Sequence, residues 1–201
     1  MSDFLIYLRL GFDHITDPGG YDHILFVVAL TAIYTLTDWR RVLVLVTAFT
    51  IGHSITLALA TLQLIQYSTP FIEFLIPVTI LITAIGNFSV QPATQALLDQ
   101  RPLGRYGMAL AFGLVHGMGF SNYLRSLLGR EADILTPLLA FNIGLELGQL
   151  LIVSIVLGVS YAALRLARVS RLRWVLAVSG IVAGMAISLL LNNDFLNSLL
   201  E

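Results

Sequence analysis

The stretch that decides the fold extends from residue 136 to residue 164 and reads TPLLAFNIGLELGQLLIVSIVLGVSYAAL. Its only charged side chain is Glu146. A helix of roughly 20 predominantly apolar residues is long enough to cross the roughly 30 Å of hydrocarbon in a bilayer. The stretch therefore predicts a transmembrane helix that carries one carboxylate in its interior.

The rest of the chain has the same character. It is 57% hydrophobic and 11% charged, with a mean hydropathy of +0.87, whereas soluble domains usually carry about 25% charged residues. Further runs of about spanning length cover residues 20–36, 42–63, 70–87, 106–127 and 174–191. We predict an all-α integral membrane protein in which residues 1–201 form a single domain, a compact bundle of about six transmembrane helices.

Residues 1–18 precede the first of these runs and do not have the pattern of a cleavable signal peptide. They lack a basic amino-terminal region and they contain Asp3 and Asp13. Their apolar part, Phe4–Ile15, is too short to cross a bilayer. We predict that this segment is either an interfacial helix or a re-entrant segment that folds back into the bundle.

Composition also excludes several classes of function. The chain has no cysteine, so it contains no disulfide frame, zinc-thiolate site or redox pair. Its formal net charge is −1, and no basic cluster indicates a nucleic-acid partner. The sequence leaves the oligomeric state open.

The basic residues predict the orientation in the membrane. The loops that follow runs one, three and five hold eight arginines: Arg40, Arg41, Arg101, Arg105, Arg165, Arg168, Arg171 and Arg173. The opposite side holds three: Arg9, Arg125 and Arg130. Because cytoplasmic loops carry the excess of basic residues, we predict that both termini lie outside.

Polar side chains inside the apolar runs are the candidates for function. All four histidines lie in or beside such runs, together with acids and amides: His14, His23, His53, His116, Asp22, Glu73, Asn142 and Glu146. A charged group at the bilayer centre costs roughly 2.5–3.5 kcal/mol on insertion scales, so these residues are functional candidates. Histidine with carboxylate suits late first-row divalent metals. The set therefore indicates either a metal-binding or a proton-handling site.

Helical spacing places some of these groups on common faces. Asn142, Glu146 and Gln149 follow each other at i, i+4 and i+7 and form one polar stripe, and Ser54 shares a face with His53. Counted at 1.5 Å per residue, Glu146, His53 and His116 lie about 15 Å from the outer ends of their helices. We expect a site that is reached from outside.

Some of these side chains have a second interpretation. A histidine in a span can simply hydrogen-bond a neighbouring helix. Glu73 stands near a predicted helix start, where it can act as a cap. Asp22 can cap the first span, or it can orient His23 or His14 from behind.

Four segments, in this order, resemble the HupE/UreJ family: Gly11–Ile15 with Gly20–Phe26, Phe49–Leu57, Phe112–Phe120, and Phe141–Gln149. The family is described as multi-pass proteins of the bacterial inner membrane, implicated in nickel or cobalt uptake for hydrogenase and urease systems. The resemblance implies a permease whose partners are a metal ion and membrane lipid. It implies His14, Asp22 and His23 as metal ligands, and it makes His53, His116 and Glu146 further candidates, supported by Glu73, Asn142, Gln149 and Ser54.

The metal and the activity stay open at this stage. Imidazole and carboxylate ligands suit nickel, cobalt or zinc alike. A zinc-type site with an activated water also occurs in hydrolases, so an intramembrane metal-dependent hydrolase is the alternative, with Glu73 or Glu146 as general base on a lipid or peptide. A sensor or accessory subunit that only binds metal is a third possibility. For transport, we expect His53→Ala or His116→Ala to abolish metal binding and leave the protein folded.

Overall fold

The computed structural model describes residues 3–89, 103–128 and 134–200, and these residues form helices and connecting turns without a strand. The helices are α1 (Asp3–Thr16), α2 (Asp22–Thr31), α3 (Trp39–Thr61), α4 (Thr69–Phe88), α5 (Leu103–Leu128), α6 (Leu135–Tyr161), α7 (Arg171–Leu191) and α8 (Asp194–Leu200). A short 3-10 turn, Leu36–Asp38, precedes α3, and a π turn, Ala162–Leu166, follows α6. The prediction of an all-α protein is confirmed.

Four of the described helices are long and apolar enough to cross a membrane: α3 with its preceding turn, α4, α6 with its following turn, and α7. Their outward faces carry large apolar side chains; Ile181 and Leu191 on α7, for example, are 64% and 66% exposed. Soluble monomers rarely expose apolar surface of this extent. The helices thus have the surface of an integral membrane protein.

Two of the predicted spans differ from the helices observed. The run 20–36 is α-helical only over Asp22–Thr31, which is shorter than a span. The run 106–127 lies within α5, which has sufficient length but includes several glycines, Asn122 and Arg125 and is not among the four helices that are apolar enough to span. The count of six spans therefore stays a prediction.

Side-chain contacts fix which helix ends lie together. The Asn122 amide of α5 donates to the Thr69 hydroxyl at the start of α4 (3.1 Å), and the hydroxyl groups of Tyr67 and Ser121 are in contact. We call this end of the bundle, where α3 and α5 end and α4 begins, the Tyr67 end, and we call the opposite end the Trp39 end. The chain between Leu128 and Leu135 is too short to return along a helix of this length, so α6 also begins at the Tyr67 end.

The amino-terminal helix packs along α6 and runs in the same direction. A Cβ at Gly144 would meet backbone atoms of Leu8 and Phe12, and a Cβ at Gly148 would meet Phe12 and Ile15, so residue numbers rise together in the two helices. Helix α1 therefore starts at the Tyr67 end and descends into the bundle. Its position relative to the membrane surface, interfacial or re-entrant, stays a prediction.

Pro18 and two glycines interrupt the chain after α1, because proline and glycine oppose helix continuation. Helix α2 then continues towards the Trp39 end. There the Asn87 amide of α4 donates to the carbonyl of Ala29 (2.7 Å), and the Arg171 guanidinium donates to the carbonyl of Ile33 (2.6 Å). Helices α1 and α2 thus follow one another through the bundle in the same direction, separated by a break at Pro18 and the two glycines.

Candidate metal centre

Three histidines from three helices meet where α1 gives way to α2. His14 ends α1, His23 begins α2, and His53 lies in the middle of α3; one ring nitrogen of each lies within 4.8 Å of the other two. The centroids of the His14 and His23 rings are 4.6 Å apart, and each lies about 6 Å from that of His53. His23 is 5% exposed and His53 is fully buried. The sequence predicted all three as ligands, and the fold brings them together.

Four ring nitrogens of this cluster lack hydrogen-bond partners among the described residues. Nε2 of His14, Nε2 of His23 and both ring nitrogens of His53 are buried without a hydrogen bond. A buried polar atom without a partner costs about 1–3 kcal/mol. Three such imidazoles converging on one point form a donor set suited to a divalent transition metal.

Asp22 lies against the Nδ1 edge of the His23 ring. One of its carboxylate oxygens accepts from the ring Nδ1 (2.9 Å) and from the backbone N–H of His23 (2.8 Å). Because the carboxylate holds the proton on Nδ1, Nε2, which is buried and has no hydrogen-bond partner among the described residues, keeps its lone pair. A carboxylate that orients a histidine in this way also raises its basicity as a metal ligand. Of the roles considered for Asp22, this geometry matches the orienting one.

His116 of α5 is fully buried beside the cluster but is not one of the three. Its ring centroid lies 5.1 Å from that of His23, and its Nε2 lies 3.0 Å from the Thr79 hydroxyl. That hydroxyl donates to the carbonyl of Ile76 (2.7 Å), so it accepts from His116 Nε2–H. The Nδ1 of His116 therefore keeps a lone pair, and it has no partner among the described residues.

Glu146 lies apart from the three imidazoles, between α6 and α3. It is half-buried, and its carboxylate accepts from the Thr47 hydroxyl (2.9 Å). The fully buried Gln149 accepts from the Thr50 hydroxyl (2.7 Å) and leaves its Nε2 without a partner among the described residues. These pairs continue from His53 along α3 towards the Trp39 end.

Two other predicted supporting residues bond within their own helices. The Asn142 amide donates to the carbonyl of Leu138 (2.8 Å), and the Ser54 hydroxyl donates to the carbonyl of Thr50 (2.6 Å). The polar stripe predicted on α6 therefore does not act as one unit. Its first member faces its own backbone, and the other two face α3.

A cavity of about 250 Å³ leads from the Tyr67 end to the cluster. We call it the entry cavity; its walls include Asp17, Asp22 and Glu73 together with His14, His23, His116 and Phe120. Glu73 is exposed one turn into α4, which begins at the Tyr67 end. The Phe120 ring covers His14 at a centroid distance of 3.9 Å and stacks on Phe141.

Sequence reasoning missed three of these residues: Thr47, Asp17 and Phe120. Thr47 stands three residues before Thr50 and six before His53, a helical spacing that the sequence already shows. Asp17 and Phe120 are placed by the interruption after α1 and by packing between helices, and no local pattern reveals them.

A family profile described as HupE / UreJ protein matches residues 1–193. The chain belongs to the HupE/UreJ family. The match includes all four histidines and confirms the resemblance found in the sequence. Among curated proteins and among solved structures, no match was found. For this HupE/UreJ protein the family suggests nickel or cobalt transport, and the apolar helices agree with an integral membrane protein.

Proposed function

We propose that this protein binds a divalent transition metal through His14, His23 and His53 and carries it across the bacterial inner membrane. The observation that supports this most is the convergence of three imidazoles, each of which has at least one buried ring nitrogen without a hydrogen-bond partner among the described residues. Imidazole is a common ligand for nickel, cobalt and zinc, so the donors alone select none of them. Nickel or cobalt as the substrate follows from the family.

Closing on an ion requires only a small movement of the rings. Nitrogens that share one ion at about 2.0–2.1 Å lie roughly 3.4 Å apart in a tetrahedral arrangement. The present spread is up to 4.8 Å. Rotation of the His14 and His23 side chains supplies this change, because His14 lies in the last turn of α1 and His23 in the first turn of α2, on either side of the interruption.

The carboxylates of the entry cavity provide the approach. Asp17 and Glu73 are exposed at its mouth and Asp22 lies deeper. A cleft lined by one sign of charge concentrates counter-ions and raises the association rate. A hydrated cation enters here, exchanges water for His14 and His23, and then reaches His53.

On the far side of the cluster, Glu146 and Gln149 with their threonine partners offer oxygen ligands in the direction of the Trp39 end. We assign His116, Glu146 and Gln149 to the onward path and not to the first binding step. The arginine distribution supports an orientation in which the Tyr67 end and both termini lie outside. Uptake then runs from the Tyr67 end to the Trp39 end.

Metal binding by the purified, detergent-solubilised protein tests the proposal. We expect about one equivalent of nickel or cobalt at the three-histidine centre, and loss of that binding in His53→Ala. Ser160→Ala is the matched control, because Ser160 is buried like His53 but lies at the carboxyl-terminal end of α6. Binding that survives in His53→Ala, in a protein with an unchanged elution profile, contradicts the proposal.

The alternative, an intramembrane metal-dependent hydrolase, is favoured by one observation: Glu73 lines the same entry cavity as His14 and His23, two of the three histidines of the centre. Catalytic zinc sites also keep three protein ligands and an open position. Zinc-loaded protein that cleaves a lipid or peptide ester, with the activity lost in Glu73→Gln, would support hydrolysis. Metal uptake into proteoliposomes by the same Glu73→Gln variant would support transport.

A further inference from the structure

Helix α1 packs on α6 through two mutual glycine contacts. Gly11 of α1 lies against the backbone of Phe141 and Leu145, where a Cβ would clash with a carbonyl oxygen. Gly144 of α6 lies in the same way against the backbone of α1 at Leu8. Each glycine lets its helix approach the backbone of the other closely.

Helix α5 packs on α3 through the same arrangement. Gly113 of α5 lies against the backbone of Phe49 and His53, and Gly52 of α3 lies against the backbone of α5 at Leu110. As in the first pair, the two helices run in the same direction.

The two arrangements correspond residue by residue. A shift of 102 residues carries contacts of α1 onto those of α5: Leu8, Gly11 and Phe12 onto Leu110, Gly113 and Leu114. A shift of 92 residues carries contacts of α3 onto those of α6: Phe49, Gly52 and His53 onto Phe141, Gly144 and Leu145. Constant shifts across several contacts indicate a repeated unit and not a chance similarity of glycine packing.

The same shift places His14 on His116. Each histidine stands three residues after its contact glycine, and each ring lies over the phenylalanine that corresponds in the partner helix. The centroid distance is 5.7 Å from His14 to Phe141 and 5.3 Å from His116 to Phe49. The two histidines therefore occupy equivalent positions in the two helix pairs.

The two pairs run in opposite directions. Helices α1 and α6 run from the Tyr67 end inward, whereas α3 and α5 run towards the Tyr67 end. Helices α4 and α7, which follow α3 and α6, are also opposed and pack on each other, as the Asn87–Ser179 hydrogen bond shows (3.2 Å). Inverted repeats of this kind occur in many transporters, with the substrate site at the repeat interface and access alternating between the two sides.

We infer that α1–α4 and α5–α7 are inverted repeats, and that His14 and His116 are alternative metal ligands, one for each direction of access. The inference rests on the proposed function and adds its mechanism. In the present structure the cavity opens to the Tyr67 end, His14 is in the cluster, and Thr79 holds His116. When the repeats exchange conformations, His116 Nδ1 takes the place of His14, and the Thr47–Glu146 side opens to the Trp39 end.

Substitution of the two equivalent histidines separates binding from transport. His14→Gln should lose both metal binding and uptake into proteoliposomes. His116→Gln should lower the initial uptake rate by about tenfold or more while changing the Kd by less than about threefold. Glutamine can keep a hydrogen bond to Thr79, which favours correct folding. Equal losses of affinity and uptake in His116→Gln, or no loss of either, would overturn the inference.

A second measurement does not depend on the histidine variants. The chain has no cysteine, so Asp17→Cys and Thr47→Cys each give a single thiol, one in the entry cavity and one on the path towards the Trp39 end. We expect saturating nickel to change the rates at which a membrane-impermeant maleimide modifies these two thiols. The rate should rise for one thiol and fall for the other, and the two thiols should react from opposite sides of the membrane. A Thr47→Cys protein that is unlabelled from the Trp39 side in both conditions, or parallel changes in the two variants, would refute alternating access.

The failures of the two proposals are distinguishable. An unsubstituted protein that binds no nickel or cobalt contradicts the proposed function. Binding and uptake that are both unaffected by His116→Gln contradict only the exchange of ligands.

Discussion

Replacement of Asp22 by asparagine tests whether this carboxylate acts through His23 or on the metal itself. In the structure one Asp22 oxygen accepts both the ring and the backbone N–H of His23, at 2.9 and 2.8 Å. Asparagine can accept the same two bonds, so the geometry is kept and the charge behind the imidazole is lost. Loss of such an outer partner usually costs 10- to 100-fold in metal affinity, about 1.4–2.7 kcal/mol.

We therefore expect Asp22→Asn to weaken nickel binding by about tenfold and Asp22→Ala, which also loses the hydrogen bonds, by about 100-fold. Competition titration against a chelator of known affinity measures both. Asp13→Asn is the matched control, since Asp13 is an exposed carboxylate of α1 that pairs with Arg9 (3.3 Å) and does not line the entry cavity.

Two results would refute this account of Asp22. If Asp22→Asn binds nickel no more weakly than Asp13→Asn, the charge behind His23 does not affect the metal. If stoichiometric binding disappears altogether in Asp22→Asn, the carboxylate is a direct ligand, as the family resemblance implies.

Three other predictions concern packing, metal linkage and access. Gly52→Ala would drive a Cβ into the Leu110 carbonyl, so it should destabilise the protein by about 1–3 kcal/mol in thermal melts, whereas Gly158→Ala, with no atom within 4 Å of its Cβ, should not. Nickel at 100 times its Kd should stabilise the protein by about 2.7 kcal/mol; an equal rise of Tm in His53→Ala would show that the stabilisation does not come from this centre. Phe120→Ala removes the ring that covers His14 and should speed nickel dissociation in stopped-flow chelation, and an unchanged rate would exclude Phe120 as a barrier.

The histidine cluster was predictable from sequence, but its internal arrangement was not. An imidazole or carboxylate in an apolar run is conspicuous because membranes penalise it, and this singled out His14, His23 and His53. Periodicity assigns a residue to a face of its own helix but does not say which helix that face meets. For this reason Glu146, predicted with the ligands, bonds Thr47, and Asp22 stands behind His23.

The first predicted span shows a related limit. Hydropathy extends the run to residue 36, yet α2 ends at Thr31 because a turn leads into the start of α3. By contrast, the repeat was present in the sequence as two short patterns. Gly-x-x-His occurs at Gly11 and Gly113, and a third time at Gly20, outside the repeat; Phe-x-Ile-Gly occurs at Phe49 and Phe141. Comparison of the two halves of the chain would have found them.

The packing of α1 on α6 also sets the order in which the centre can be made during synthesis. Gly11 and its contact Phe141 are separated by most of the chain, so α1 lacks its main packing surface until α6 has left the ribosome. His14 therefore joins His23 and His53 only late in biogenesis. A nascent chain that has already inserted α2 and α3 has only two of the three imidazoles. Because the third ligand joins later, such a chain cannot form the complete three-histidine centre. Slow, long-range contacts are usually regarded as a burden on folding; here they keep the binding site incomplete until the transporter is whole.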